Sequence, residues 1–132
     1  MPIEIKNARG EVLVVVPGDT LIKADLRNTD LKHAALAGQD LSGAILDGAD
    51  LEFAHCRGTK FIGASFRDAY MVYAQMHETD CQEADFAGVN MERAKFHNAN
   101  LLGARNWHKR ERDFQAKFRG AIMPDGQKVE DE

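Results

Sequence analysis

Residues 49–69 read ADLEFAHCRGTKFIGASFRDA. A small residue, a polar one, a large apolar one and two variable ones follow in order, and the order restarts every five residues. An α-helix repeats every 3.6 residues and a strand every two, so neither accounts for this period. The pattern continues outward in both directions without a slip. Steps of five from Leu21 to Leu101 land on Leu, Cys, Phe or Met at all seventeen positions. Two residues before each, from Ala24 onward, stands a small residue: mostly Ala, with Thr29, Thr59 and Thr79, and with Gln39 and Val89 as departures. Asp or Asn often comes just before the large residue, as at Asp25, Asp50, Asp85 and Asn100. Gly is common two after it, as at Gly38, Gly58 and Gly88.

A strand offers two opposite faces, whereas here two positions of every five call for the interior. A chain that turns a corner every five residues provides this. The large residue points to the axis, the small one fits the crowded corner, and Gly or Asn suits the turn. The segments ADLRN (24–28), ADLEF (49–53), ADFAG (84–88) and ANLLG (99–103) resemble the A-(D/N)-L-x-x motif of the pentapeptide-repeat family. The resemblance covers residues 19–105. It implies an all-β fold: a right-handed, quadrilateral parallel β-helix with one repeat per wall, four per turn and about four coils in these residues.

Such a solenoid needs covered ends. Residues 1–18 read as a β-hairpin cap: Ile3 and Ile5 alternate with polar residues, NARG makes the turn, and VLVVV (12–16) returns before Pro17-Gly18. Residues 106–132 read as a C-terminal cap and tail, completing one domain over 1–132. Two readings of the cap stay open. Trp107, Phe114 and Phe118 suit an amphipathic helix whose aromatic stripe covers the rod end or joins two copies in a homodimer. Alternatively, Ala116, Phe118, Ala121 and Met123 continue the small–large pattern. Because 17 residues separate Leu101 from Phe118, that continuation requires an insertion near 106–115. The last residues, QKVEDE, read as a solvated tail.

Composition narrows the function. The chain has 132 residues and a net charge of −4. The repeats at 21–104 carry eight basic and twelve acidic side chains, while 105–119 carry six basic and two acidic. No stretch has the length of a membrane span, and the N-terminus has no signal-peptide pattern, so a cytoplasmic location is expected. The basic stretch is too small and mixed for direct nucleic-acid binding. Cys56 and Cys81 fall on inward positions of different walls and read as packing residues without a disulfide. No nucleophile elbow, phosphate loop or metal-binding motif occurs. A core filled by Leu, Phe and Met leaves no ligand cavity. A non-enzymatic protein without cofactor is expected.

Residues twenty apart should stack, so outward columns can be read directly. Phe53, Tyr70, Val72 and Tyr73 are expected to form the outward apolar cluster, with His33, Phe53, Tyr73 and Arg93 in one column and Arg93 over Tyr73 as a cation–π pair. This is the candidate protein-contact patch, though a merely stabilising ladder would look the same. On the opposite face His55, His77 and His97 gather with Arg57 and Lys95. With only Glu78 to complete a donor set on a flat wall, this reads as a solvated face rather than a metal site. A rigid protein-interaction module with an unidentified protein partner is the leading expectation. The resemblance implies an alternative. Some members of the family mimic DNA and occupy DNA gyrase, inhibiting it or protecting it from quinolones, and an acidic rod of duplex width has the physical character to do so. On this register Phe66→Asp should unfold the chain, while Arg67→Asp should be nearly silent.

Overall fold

The computed structural model describes residues 1–107 and 115–130. Each repeat turns its corner with the same hydrogen bond. The small residue's N–H donates to the carbonyl of the large residue three before it, as from Ala24 to Leu21 (3.1 Å), Ala54 to Leu51 (2.9 Å) and Ala74 to Met71 (3.0 Å). Between them, two after the large residue, φ is positive: 57° at Phe53, 60° at Tyr73 and 70° at Gly58. Positive φ at the third position of a four-residue turn is the type II signature, and it favours Gly. The Asp or Asn before the large residue has an equally local task. Its side-chain oxygen accepts the N–H of the residue two further on, as at Asp30 from Lys32 (3.1 Å), Asp50 from Glu52 (3.0 Å) and Asn100 from Leu102 (3.0 Å). Asn does this as well as Asp, so the corner needs an acceptor rather than a charge.

Parallel bridges twenty residues apart join successive coils in four columns. They run through Asp25–Ile45–Ser65–Asp85–Arg105, Asp30–Asp50–Tyr70–Asn90, Ala35–His55–Gln75–Lys95 and Asp40–Lys60–Asp80–Asn100. These are the four walls of the rod. Around each bridge the large residue's N–H donates to the next coil, as from Leu31 to Asp50 (2.8 Å), while Asp50 N–H donates back to Thr29 (3.0 Å). The backbone of the walls is thereby paired as a buried polar chain requires. All seventeen large residues are at most 4% exposed. Thr59 and Thr79, buried in the small-residue position, donate their hydroxyls to Leu36 O (2.7 Å) and Met76 O (2.9 Å). Gln39, too large for that position, is exposed. One corner column alternates Asn28, Gly48, Asp68 and Gly88. A Cβ built on Gly88 would lie 2.0 Å from Asp68 Oδ1, so Gly there meets both the positive φ and the close approach of the coil beside it.

The N-terminal hairpin forms as expected, with β1 (Ile3–Lys6) antiparallel to β2 (Val12–Val16). It docks edge-on against the coil at His33–Ala35: Ala8 N–H donates to His33 O (3.0 Å) and Ala35 N–H to Lys6 O (2.8 Å). Ile5 and Val16 enter the core. At the other end the coil resumes after an insertion. Lys117 bridges to Lys95 and Ile122 to Asn100, a step of 22 residues instead of twenty. Two extra residues in this coil explain why Phe118 falls out of the five-residue register yet stacks on Phe96 at 5.4 Å. No helix occurs among the described residues, and Phe114 lies outside them. The expected solvated tail is corrected in part. Val129 N–H donates to Ala121 O (2.9 Å) and Lys128 bridges to Ile122, so the chain folds back over the last coil.

Candidate protein-contact face

One corner of the rod carries rings at the position where the other corners carry Gly, Asn or a charged residue. His33, Phe53 and Tyr73 occupy the positive-φ position in successive coils. A bulky side chain is disfavoured there, by about 1–2 kcal/mol. The rings stack almost parallel: His33 on Phe53 at 5.2 Å and 3°, Phe53 on Tyr73 at 4.9 Å and 5°. The Arg93 guanidinium continues the column, 5.5 Å from the Tyr73 ring centre, and donates to the Tyr73 hydroxyl. That hydrogen bond raises the Arg93 pKa further above its usual value.

Phe53 and Tyr73 remain 37% and 36% exposed, and Tyr70 on the adjoining wall 40%. Val72 does not belong with them. Expected to face outward, it is only 8% exposed. It is a short side chain in the column between Glu52 and Glu92, both longer and themselves half-buried. At this corner the outward apolar surface is therefore aromatic, while Val12 and Val15 are exposed on the hairpin. Elsewhere Ile22, Ile62 and Leu102 are also exposed, but they share a column in which Ser42 and Gln82 separate them.

Of the candidate C-terminal segment, Trp107 and Phe118 pack against the core. Trp107 meets Phe86 (5.2 Å), Phe96 (6.2 Å) and Phe118 (5.6 Å) edge to face, closing the aromatic end of the core. On the opposite face His77 and His97 are neighbours, 5.0 Å apart and tilted by 59°. Burial, aided by Arg57, His97 and Lys95, lowers the His77 pKa. Arg57 pairs with Glu78 at 2.9 Å. Among the described residues no group of acidic, His or Cys side chains is arranged to hold a metal ion, and no helix is long and apolar enough to cross a membrane. Both cysteines are free and buried, and burial pushes their thiols up, Cys81 to about 12.

Two interactions escaped the sequence. Asp85, 3% exposed, lies within 3.3 Å of Arg67 and 2.8 Å of Asn106. Burial alone would raise its pKa, but the Asn106 amide, the Ala87 N–H and the nearby Arg67 and Arg105 outweigh this and lower it. Arg67 is therefore not the inert surface position expected, and Arg67→Asp would place a second carboxylate beside Asp85. The other is a cationic group. The 22-residue step brings Lys117 next to Lys95, and together with Arg93, Gln115 and Tyr73 they line a shallow groove at the end of the aromatic column. Only the size of the insertion reveals this juxtaposition.

The four-walled ladder, the inward register and the acceptor-capped corners define a repeat solenoid, and a family model matches its repeats. The chain belongs to the pentapeptide-repeat family, whose model matches residues 21–52, 49–80 and 74–105. No curated protein matches it in sequence. Among solved structures it is similar to a pentapeptide repeat protein of the Arabidopsis thaliana thylakoid lumen, at 32% identity, TM-score 0.40, with 75% of this chain and 61% of that one covered. It is similar also to HetL of the cyanobacterium Nostoc, a protein involved in heterocyst differentiation regulation (26%, TM-score 0.35, 80% and 62%). A third is QnrB1, a plasmid-mediated fluoroquinolone resistance protein (14%, TM-score 0.42, 83% and 60%). The chain thus spans about three fifths of the length of each of these proteins.

Proposed function

We propose that this protein is a non-enzymatic interaction module: a right-handed rod of about four coils, closed by the hairpin at one end and the resumed coil at the other, that binds a partner protein through its aromatic corner. The observation that carries the reading is the exposed Phe53–Tyr73 stack at positions where Gly is cheaper. Neither ring contributes to the core, and both occupy a disfavoured backbone conformation. Aromatic side chains on a rigid support make good contact residues because little conformational freedom is lost when they bind. Trp107 and Phe118 we read as cap rather than dimer interface, so a monomer is expected on sedimentation. To test the contact face, a photo-crosslinking side chain would be placed at Phe53 in the native cell and compared with the same group at Ile62. A discrete product from position 53 alone is expected. Equal products from both positions, or none from 53, would remove the reading.

Occupation of DNA gyrase in place of DNA is the second reading. It draws on the family and on the excess of acidic residues in the repeats, twelve against eight basic. Its weakness is that several of those acids are explained by the corners they cap. A supercoiling assay with purified gyrase, titrated with and without a quinolone, separates the two: inhibition or protection would favour mimicry, and no effect favours the interaction module.

A further inference from the structure

The aromatic corner does not end in solvent; it runs into a cluster of cations, and this bears on what kind of partner fits it. Below Tyr73 come Arg93, then Lys95 and Lys117 on the next wall, bridged to each other in adjacent coils. Like charges stacked across a ladder are destabilising. The ion pairs among the described residues include none from Arg93, Lys95 or Lys117 to a carboxylate. The cluster is also bounded: Glu92 adjoins Arg93 in the chain, and Glu78 holds Arg57 on the far side. A long polyanion crossing this surface would meet both carboxylates, whereas a short acidic segment can lie on Lys95 and Lys117 away from Glu78.

We propose that this face binds an extended, acidic peptide segment of a partner protein. An apolar or aromatic residue would lie against Phe53 and Tyr73, and two or three carboxylates would reach Arg93, Lys95 and Lys117. The dimensions fit. From Phe53 to Tyr73 is 4.9 Å and from Tyr73 to Arg93 is 5.5 Å. One further coil adds about 4.8 Å, so the face spans the reach of about five extended residues. Arg93 donates to Tyr73 and is exposed, so its other N–H groups are accessible to a carboxylate. The inference rests on the reading of the aromatic corner as a contact face and adds the charge of what binds there.

The test is selection from a displayed random twelve-residue peptide library on the full chain, followed by binding of the selected peptides to variants. Peptides combining clustered Asp or Glu with an aromatic or large apolar residue are expected. Replacing both lysines (K95Q with K117Q) should weaken them about tenfold, as for the loss of two exposed charge pairs, and added salt should do the same. The F53S and Y73S pair should weaken them independently. Melting curves of each variant establish that the fold is kept. Selected peptides without acidic bias that still depend on Phe53 and Tyr73 would overturn the acidic partner while keeping the contact face. Peptides indifferent to both sets, or no enrichment, would overturn both. Tighter binding of a single-stranded oligonucleotide than of any selected peptide would point to nucleic acid and also overturn the proposal.

Discussion

Two aromatic stacks run along this rod in the same register, one inside and one outside. Inside, Phe66 lies on Phe86 at 5.2 Å and 15°; outside, His33 lies on Phe53 at 5.2 Å and 3°. The spacing is close to the 4.7–4.9 Å between neighbouring strands, so in both places the backbone sets it, not the attraction between rings. What differs is the surroundings. Phe66 and Phe86 are fully buried, while Phe53 is 37% exposed. The inner stack gains the hydrophobic free energy of removal from water, and the outer one gains little beyond ring contact and sits in a disfavoured turn. Geometry alone therefore does not tell a structural ladder from a contact surface. Burial and backbone conformation are what separate these two stacks, and the proposed contact face rests on them.

The largest effect should come from placing a charge in the inner stack. Phe66→Asp buries a carboxylate with no partner, and we expect no folded protein by circular dichroism. The matched outward change is Gln75→Asp. It lies at the position where Asp normally accepts the corner N–H, with His55 and Lys95 in the same column, and should shift the melting temperature by only a few degrees. If Gln75→Asp unfolds the chain as Phe66→Asp does, the division into inside and outside is wrong.

Next in size is a cavity. Phe86→Ala removes a ring packed against Phe66, Phe96 and Trp107 and should cost about 3–5 kcal/mol, read by urea unfolding. Native protein should resist thiol reagents at Cys56 and Cys81, and this variant should lose that resistance first, because opening the core is what exposes them. A loss below about 1 kcal/mol would mean the inner stack is no more than the outer one.

How much of this was legible in the sequence follows from the same contrast. The inner stack could be read because burial leaves a strict pattern: seventeen inward positions, none of them polar. The outer columns followed by counting twenty, and the His33–Phe53–Tyr73–Arg93 order was right. Val72 was misplaced because its burial depends on the lengths of its neighbours in other coils, which period alone does not encode. The Lys95–Lys117 pair was missed because a two-residue insertion changes which residues meet, and its size shows only once the last coil is seen to resume. The Asp85–Arg67 contact links adjacent coils across a corner, where counting by twenty does not look.

Acid should act at His77 before Asp85. His77 has a lowered pKa in the folded chain, so the unfolded chain binds its proton first. The stability it allows is intact above the unfolded value of about 6.5 and falls as pH drops from there toward the folded value. Asp85 is also lowered; its contribution is present above an unfolded value of about 3.9 and is lost as pH falls through the folded one. Melting temperature should thus decline in two stages on acidification. His77→Gln should flatten the first and leave the second. A variant profile that still falls between pH 6.5 and 5 would assign the first stage to other histidines.

The smallest effect is the most discriminating. In the inner stack Gly should be worse than Ala: Phe86→Gly adds to the cavity an entropic cost of about 0.5–1 kcal/mol. At Phe53 the order should reverse. Both substitutions forfeit two stacked pairs, with His33 and with Tyr73, each worth about 0.5–1.5 kcal/mol. Phe53→Ala keeps a Cβ at φ 57°, whereas Phe53→Gly removes the steric cost of that conformation, about 1–2 kcal/mol. Phe53→Gly should therefore lie within about 2 kcal/mol of the wild type and above Phe53→Ala. Urea titrations of the four variants decide it. If Ala is the better residue at both positions, the outer rings are not held against backbone strain, and the reason for seeing a contact surface in them is lost. If the order reverses only at Phe53, stability is not what keeps a ring on that corner.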